Sequence, residues 1–268
     1  MPTEMPSLGA VSLSELSLAL HICSFCGVSA DSALNFHAQN QTVLYSMAMV
    51  KLSHSISFGQ KLGLTRSEAG TLAKLRTPEK IQDYVSSIPI NHEKGGDTCL
   101  SVVETLRQRR AHCIEGALVA ACSFWLNGKP PLLMDFQAMR DDDHVVALFR
   151  HRGYWGAISK SNHVWLRWRD PIYRNLRELA LSYFHEYVTG SRKTLWNYSV
   201  AFDLRRFDPK MWITNKESCW DIASALDDTR HYALISSAQA KRLRPRDSME
   251  IRADKLVEYN AFGKKKVA

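Results

Sequence analysis

Residues 113–126 carry the pattern that most constrains how this chain can fold. Apolar side chains recur there at helical spacing and form one continuous stripe: Ile114, Ala117, Leu118, Ala121, Cys122 and Trp125. Gly128 and the Pro130-Pro131 pair then end the segment. The residues at 116, 117, 120 and 121 are small, so neighbouring backbone can approach closely. The pattern predicts a central, buried helix that begins near Cys113.

The remaining patterns predict more helices and a set of strands. Thr77-Pro78 has the composition of a helix start, and Pro89 stops that helix. Asp170-Pro171 is predicted to open a long helix whose apolar stripe ends at Tyr187. The other predicted elements are helices near 98–109 and 219–227 and strands at 131–136, 145–149, 154–158 and 196–200. Helices followed by strands favour an α+β fold, with the central helix packed on an antiparallel sheet.

Composition excludes several classes of protein. The 268 residues are 45% hydrophobic and 23% charged, which is typical of a globular chain and excludes a disordered polyelectrolyte or a collagen-like repeat. No apolar run approaches 18 residues, so we expect no transmembrane helix and no membrane partner. The six cysteines have no regular spacing, which favours reduced thiols in a cytoplasmic protein over a disulfide framework.

Charge is unevenly distributed along the chain. The net charge is +8, yet residues 1–50 contain no Lys or Arg, whereas residues 241–268 hold nine bases and four acids, a balance of +5. This basic tail could contact nucleic acid, although a solvated terminus is the favoured interpretation. We therefore expect an extension at 1–76, helical or poorly ordered, a globular core at 77–240 and a basic tail at 241–268.

Four residues near the start have a spacing compatible with a zinc site. They are His21, Cys23, Cys26 and His37. No second close pair of ligands follows, so ordinary thiols are the favoured interpretation. The sequence accordingly predicts no metal site and no cofactor.

Cys113 and His144 are the residues whose setting suits catalysis. A thiol at a helix N-terminus faces unpaired N–H groups and the positive end of the helix dipole, which favour the thiolate. His112 and Arg109-Arg110 precede Cys113 and add nearby positive charge, and free N–H groups of the helix start could hold an oxyanion. His144 opens a predicted strand after three aspartates and is the candidate general base.

A register estimate identifies groups that could orient His144. If Arg152-Gly153 is a two-residue hairpin loop, residue i pairs with residue 305 − i, so His144 faces Ser161 and Ser159 lies on the same face. A three- or five-residue loop would instead bring Asn162 or Lys160 into line. The register alone leaves these alternatives open.

Four segments together resemble the transglutaminase-like superfamily. They are 110–118 (RAHCIEGAL), 128–135 (GKPPLLMD), 143–149 (DHVVALF) and 154–158 (YWGAI). That superfamily includes bacterial transglutaminase-like cysteine hydrolases, peptide N-glycanases and, more distantly, arylamine N-acetyltransferases. The resemblance covers about residues 77–165. It implies a papain-like fold with a Cys–His–Asp triad, in which Cys113 matches the nucleophile and His144 the general base.

The third triad position departs from the family pattern. Where the family has an Asp, this chain has Ser159, and Asn162 resembles the Asn of papain-like variants of the triad. The resemblance implies a thiol enzyme that cleaves or transfers an acyl group at an amide bond of a peptide or protein substrate. The alternative is a catalytically inactive binding module that retains the fold. The sequence does not distinguish a hydrolase from a transferase, and it does not indicate an oligomeric state.

Overall fold

A computed structural model describes residues 30–260, apart from the side chains of residues 30–39, 41 and 42. The chain divides into two compact units, Met1–Ser53 and His54–Ala268. The described part of the first unit is helical, and large apolar side chains on it are exposed: Val43, Leu44, Tyr45, Met47, Met49 and Val50. The four residues of the conceivable zinc site and the Lys264-Lys265-Lys266 run lie outside the described side chains.

The described residues form nine α-helices, three short 3-10 helices and nine strands. The helices are α1 (Ala30–Lys61), α2 (Arg66–Ala73), α3 (Pro78–Ser87), α4 (Val102–Gln108), α5 (Cys113–Leu126), α6 (Leu176–Leu181), α7 (Trp220–Asp227), α8 (Ser237–Ala240) and α9 (Ser248–Ala253). The strands are β1 (Leu132–Ala138), β2 (His144–His151), β3 (Tyr154–Ile158), β4 (Trp168–Tyr173), β5 (Val188–Thr189), β6 (Arg192–Lys193), β7 (Leu195–Ser199), β8 (Phe202–Asp203) and β9 (His231–Ala233). None of the helices between residues 30 and 260 has the length and apolarity needed to cross a membrane.

The main sheet is antiparallel and is covered on both faces. Its strand order is β4-β3-β2-β1-β7-β9, with β8 also paired to β1. On β2, Val145 and Ala147 pack into the core that contains α5, whereas Val146 and Leu148 pack into a second core that contains α6. This alternation follows from the two-residue period of a strand. The predicted α+β class is confirmed.

The predicted central helix is α5. It begins at Cys113, and every side chain from Ile114 to Phe124 is buried. A Cβ added at Gly116 would lie 2.5 Å from the Cβ of Lys160, so the absent side chain at this position lets the segment after β3 lie against the helix. This close approach brings Cys113, at the start of the helix, to the same side of the molecule as the end of β3.

The β2–β3 hairpin has the register expected from a two-residue loop. Ala147 pairs with Ile158 and His151 with Tyr154, so paired residue numbers sum to 305. Arg152 and Gly153 both have positive φ, 47° and 91°, as a type I′ turn requires. The two-residue alternative therefore describes the paired part of the hairpin, which ends at Ala147 and Ile158. The expected pairing of His144 with Ser161 lies beyond it, and His144 pairs with Phe136 on β1.

The prediction that a helix begins at Asp170-Pro171 is wrong. These two residues lie in β4, an edge strand that pairs only with β3 along the main sheet, and α6 begins later at Leu176. A proline is tolerated on an edge strand because one side of that strand makes no ladder hydrogen bonds. Asn175 supplies the actual N-cap, since its side chain accepts a hydrogen bond from the Glu178 N–H at 2.9 Å.

The core extends beyond both predicted domain boundaries. Leu62, Leu64 and Leu72 are buried in the same cluster as α5, so the boundary expected at residue 76 falls inside the second unit. At the other end, Arg246 and Tyr259 are buried, so residues 241–260 are not simply a solvated tail. The observed core is larger than predicted at both ends because its added parts are short helices and loops. Such segments show little apolar periodicity in the sequence, and packing against the core holds them in place.

Candidate active site

Cys113 is the first residue of α5, and its thiol is partly exposed. The Sγ atom lies 3.8 Å from His112 Nδ1 and 3.9 Å from the backbone oxygen of Asp143, the residue before β2. The helix start also offers N–H groups that have no partner within the helix. The thiol therefore lies between the N-terminus of the central helix and the beginning of the strand that carries His144.

The environment of Cys113 favours the thiolate. Burial opposes ionisation and raises the pKa, but hydrogen bonds to His112 and His144 and the positive charges of both rings outweigh it, so the pKa falls to about 5. A thiol with this pKa is ionised at neutral pH. By contrast, burial raises the pKa of the Cys122 thiol. A hydrogen bond with Cys219, together with burial, raises that of Cys99.

His144 is held by Ser159. The His144 Nε2 atom lies 3.0 Å from Ser159 Oγ, and this hydroxyl donates its own proton to the Leu166 carbonyl oxygen at 2.7 Å. Because the hydroxyl proton is committed to that carbonyl, Ser159 Oγ accepts from His144 Nε2–H. When the His144 ring is neutral its proton is therefore on Nε2, and Nδ1 is the nitrogen that gains and loses a proton.

Gln82 on α3 fixes the position of Ser159. Its amide oxygen accepts from the Ser159 N–H at 3.2 Å, and its Nε2 donates to the Ser159 carbonyl oxygen at 3.1 Å. Both contacts are buried and join residues 77 positions apart. Sequence reasoning missed this residue, because a glutamine on an amphipathic helix carries no signal that it will meet the end of a distant strand.

Glu115 ties the loop before α4 to the start of α5. Its side chain is fully buried and accepts hydrogen bonds from Thr98 Oγ1 at 2.7 Å, from the Leu100 N–H at 3.0 Å and from the His112 N–H at 2.9 Å. A buried carboxylate surrounded by donors stays in place because every donor would otherwise lose its partner. Glu115 therefore positions Cys113 by fixing the residue before it and the loop beside it.

Asn162 lines the cavity beside Cys113 and His144, but its side chain binds the backbone of Tyr259. Its Nδ2 donates to the Tyr259 carbonyl oxygen at 3.0 Å, and its Oδ1 accepts from the Tyr259 N–H at 2.8 Å. Ser159 and Asn162 were the two candidates for the third position. Ser159 contacts His144, whereas the Asn162 amide is hydrogen-bonded to Tyr259. Lys160, the other alternative from the register estimate, is buried and donates to the Ser86 carbonyl oxygen at 3.3 Å.

A cavity of about 210 Å³ opens beside Cys113 and His144. Its walls come from the segment before β2, the segment after β3, and Tyr187 at the end of the helical turns that follow α6. The Tyr187 hydroxyl donates to the Asp142 carbonyl oxygen, and its ring lies 6.4 Å from that of His144, centroid to centroid. Both catalytic candidates are therefore accessible from one cavity.

Two further polar residues have partners of their own. Asp135 is buried and bonds His231 Nε2 at 3.1 Å, and burial together with the charge of Asp143 raises its pKa. The Nε2 atom of Gln108 lies 3.0 Å from a carboxylate oxygen of Glu104 on the same helix. Neither side chain is bonded to Cys113 or His144.

The structure and the comparisons with known proteins supply two further findings. Within the described side chains, no three His, Cys, Asp or Glu residues are grouped so that they could hold a metal ion. No protein-family model matches the chain, and no curated protein matches it. The functional conclusion therefore depends on the geometry around Cys113.

Proposed function

We propose that this protein is a transglutaminase-like thiol enzyme with a papain-like core, which forms an acyl-enzyme on Cys113. One observation carries the proposal: the Cys113 thiol at the start of the central helix lines the same cavity as His144, and His144 Nε2 lies 3.0 Å from Ser159 Oγ. Nucleophile, base and orienting group are the three parts that acyl transfer by a thiol requires.

The chemistry follows from these positions. The Cys113 thiolate attacks the carbonyl carbon of an amide or ester, a C–S bond forms, and the carbonyl electrons move to oxygen. The free N–H groups at the start of α5 stabilise that oxyanion. The C–S bond remains as a thioester when the carbonyl reforms and the bond to the leaving amine or alkoxide breaks. That group departs with a proton from His144 Nδ1, which the ring takes up from solvent before this step and regains when it deprotonates the incoming nucleophile.

The second half-reaction releases the acyl group. His144 removes a proton from the incoming water or amine, which attacks the thioester and expels the thiolate. Water gives a hydrolase and an amine gives a transferase. We propose a peptide or protein amide as the acyl donor and a cytoplasmic location, where the thiol of Cys113 remains reduced.

Acylation by p-nitrophenyl acetate tests the proposal. The expected result is a burst of p-nitrophenolate equal to the enzyme concentration, followed by slower turnover that reports hydrolysis of the thioester. Cys113→Ala should remove the burst and the turnover. His144→Gln should keep a burst but slow the turnover by at least ~10-fold, because a general base contributes to the second step. A burst of unchanged size in Cys113→Ala would refute the assignment of the nucleophile.

A binding module is the second candidate, and the neutral hydroxyl at the third position favours it. Ser159 adds no negative charge to stabilise an imidazolium at His144. A module without catalytic function would show acylation of Cys113 but no turnover above that of His144→Gln. The ratio of the turnover rates of the wild-type protein and His144→Gln therefore separates the two candidates.

A further inference from the structure

His112 is a second histidine on the thiol of Cys113. Its Nδ1 lies 3.8 Å from Cys113 Sγ, and its Nε2 lies 2.8 Å from the Thr98 carbonyl oxygen. A carbonyl oxygen only accepts hydrogen bonds, so Nε2 carries a proton. When Nδ1 is protonated as well, the ring is an imidazolium that donates to the thiolate.

Two carboxylates face the His112 ring and favour its charged form. Glu93 Oε1 and Glu115 Oε1 lie 3.4 and 3.5 Å from Nε2. Burial lowers the pKa of His112, but the hydrogen bond and charge of Cys113 and the charges of Glu115 and Glu93 outweigh it and raise the pKa to about 10. The ring therefore has an anion on each side: the two carboxylates near Nε2 and the thiolate near Nδ1.

His144 has a different set of neighbours. Its Nε2 meets the uncharged hydroxyl of Ser159, and the ring of Tyr187 packs at its edge. Tyr187, Cys99 and the two histidines are the titratable groups that interact with Cys113. Of these, His112 is the one whose positive charge is supported by carboxylates.

We propose that His112 is the resident cation that holds Cys113 as a thiolate, which leaves His144 to transfer protons. The thiolate then persists while His144 changes protonation state during the reaction. This division of roles explains how a neutral serine can stand at the third position, because His144 need not remain an imidazolium at rest. The catalytic part of this inference rests on the proposed function, whereas the pairing of His112 with Cys113 does not.

The pH dependence of Cys113 alkylation tests the pairing. Full-length protein would be treated with iodoacetamide from pH 4 to 10, and modification of the Cys113 peptide followed by mass spectrometry. The wild-type rate should rise with an apparent pKa of about 5. His112→Gln keeps a donor for the Thr98 carbonyl but removes the charge, so the apparent pKa should rise by two units or more toward ~8.5. His144→Gln should raise it by less than His112→Gln does.

A second variant covers the case in which His112→Gln fails to fold. Glu93→Gln removes one carboxylate from the ring and leaves both histidines in place, so it should raise the Cys113 pKa in the same direction by a smaller amount. The inference is overturned if His112→Gln leaves the pKa within half a unit of wild type, or if His144→Gln raises it as much. It is also overturned if His112→Gln is unfolded and Glu93→Gln has no effect.

The acylation assay separates failure of this inference from failure of the proposed function. At pH 6 the p-nitrophenyl acetate burst of His112→Gln should be slow and should recover at pH 9, whereas that of His144→Gln should be slowed less at pH 6 and should match wild type at pH 9. A wild-type protein that lacks turnover but shows the expected alkylation shifts would retain the pairing and lose the enzyme. A wild-type enzyme whose burst at pH 6 is unaffected by His112→Gln would retain the function and lose the pairing.

Discussion

At the scale of single residues, Ser159 determines how His144 is oriented and how well a charge on its ring is stabilised. Its hydroxyl accepts from His144 Nε2–H and donates to the Leu166 carbonyl, so it fixes both the orientation and the tautomer of the imidazole. A carboxylate at this position would also stabilise the imidazolium, which a hydroxyl does not. In the proposed mechanism, the site therefore combines an oriented base with an uncharged partner, and His112 supplies the positive charge.

Ser159→Ala separates orientation of His144 from ionisation of Cys113. Loss of the hydroxyl frees the imidazole to rotate and to exchange tautomers, so turnover of p-nitrophenyl acetate after the burst should fall ~10-fold or more. The apparent pKa of Cys113 in the alkylation assay should stay within half a unit of wild type. If Ser159→Ala lowered the turnover rate and raised the apparent pKa of Cys113 together, orientation of His144 and ionisation of Cys113 would not be separate.

Asn162→Ala is the matched control for Ser159→Ala. It removes two hydrogen bonds to Tyr259 and none to His144, so it should lower the free energy of unfolding by ~1–3 kcal/mol and leave the turnover rate near wild type. Chemical denaturation measures the first quantity and the acylation assay the second. A loss of turnover in Asn162→Ala that equals the loss in Ser159→Ala would assign the third position to the amide.

The sequence carried enough information to single out Cys113 and His144 but not the groups that support them. Both residues stand at element starts with recognisable local patterns, whereas the hairpin register left Ser159 as one of several candidates beside His144. Gln82 and Glu115 act through contacts with segments far along the chain, and no local periodicity encodes such contacts. The third position stayed open in the sequence because the path of the chain beyond residue 158 determines whether Ser159 or Asn162 meets the histidine.

At the scale of elements, the site depends on how closely α5 approaches the end of β3. Gly116 is the position of contact: an added Cβ would lie 2.5 Å from Lys160 Cβ and 3.2 Å from Val85 Cγ1. Lys160 follows Ser159 directly, so a shift of this segment would move the orienting hydroxyl away from His144.

Gly116→Ala should therefore reduce both stability and turnover. Overpacking at this contact should lower the free energy of unfolding by ~1–3 kcal/mol, and the displaced Ser159 should slow the second half-reaction. Gly70→Ala is the control on another helix, because its nearest neighbour would be Ile56 Cδ1 at 3.9 Å. That variant should be unchanged or more stable by up to ~1 kcal/mol, since alanine favours the helix. If Gly116→Ala and Gly70→Ala changed stability and turnover equally, the close contact between Gly116 and Lys160 would not be what positions Ser159.

Element prediction failed where local propensity and sheet pairing compete. Residues 172–187 carry apolar side chains at helical spacing. The first of these residues nevertheless belong to β4, because they pair with β3 at the edge of the sheet. Ile172 belonged to the predicted apolar stripe and is 66% exposed. Pairing across the sheet is a long-range effect that a stripe of apolar residues cannot reveal.

At the scale of the whole molecule, the core that supports α5 begins before Thr77. Ser123 Oγ on α5 donates to the Leu72 carbonyl at 2.9 Å, and Asn127 Nδ2 donates to the Leu75 carbonyl at 3.1 Å. Leu62, Leu64 and Leu72 pack into the same cluster as the central helix. Residues 54–76 are thus part of the body that positions the nucleophile.

Two truncations test this extent of the core. A chain that begins at His54 should fold and keep the acylation burst. A chain that begins at Thr77 loses three buried leucines, each worth ~2–5 kcal/mol, and that total rivals the ~5–15 kcal/mol stability of a typical domain. It should therefore fail to show a cooperative unfolding transition. A stable, active protein from Thr77 onward would restore the boundary expected from the sequence.

The central claim is that Cys113 carries the acyl group. Mapping the residue that is acylated tests this claim directly. Wild-type protein quenched with acid during the p-nitrophenyl acetate burst would be digested and mapped by mass spectrometry. The account predicts one acetyl group, on the peptide that contains Cys113, and much less acetyl on that peptide in His112→Gln at pH 6 within the same time. An acetyl group on Ser159, on Lys160 or on any other residue, with Cys113 unmodified, would contradict it.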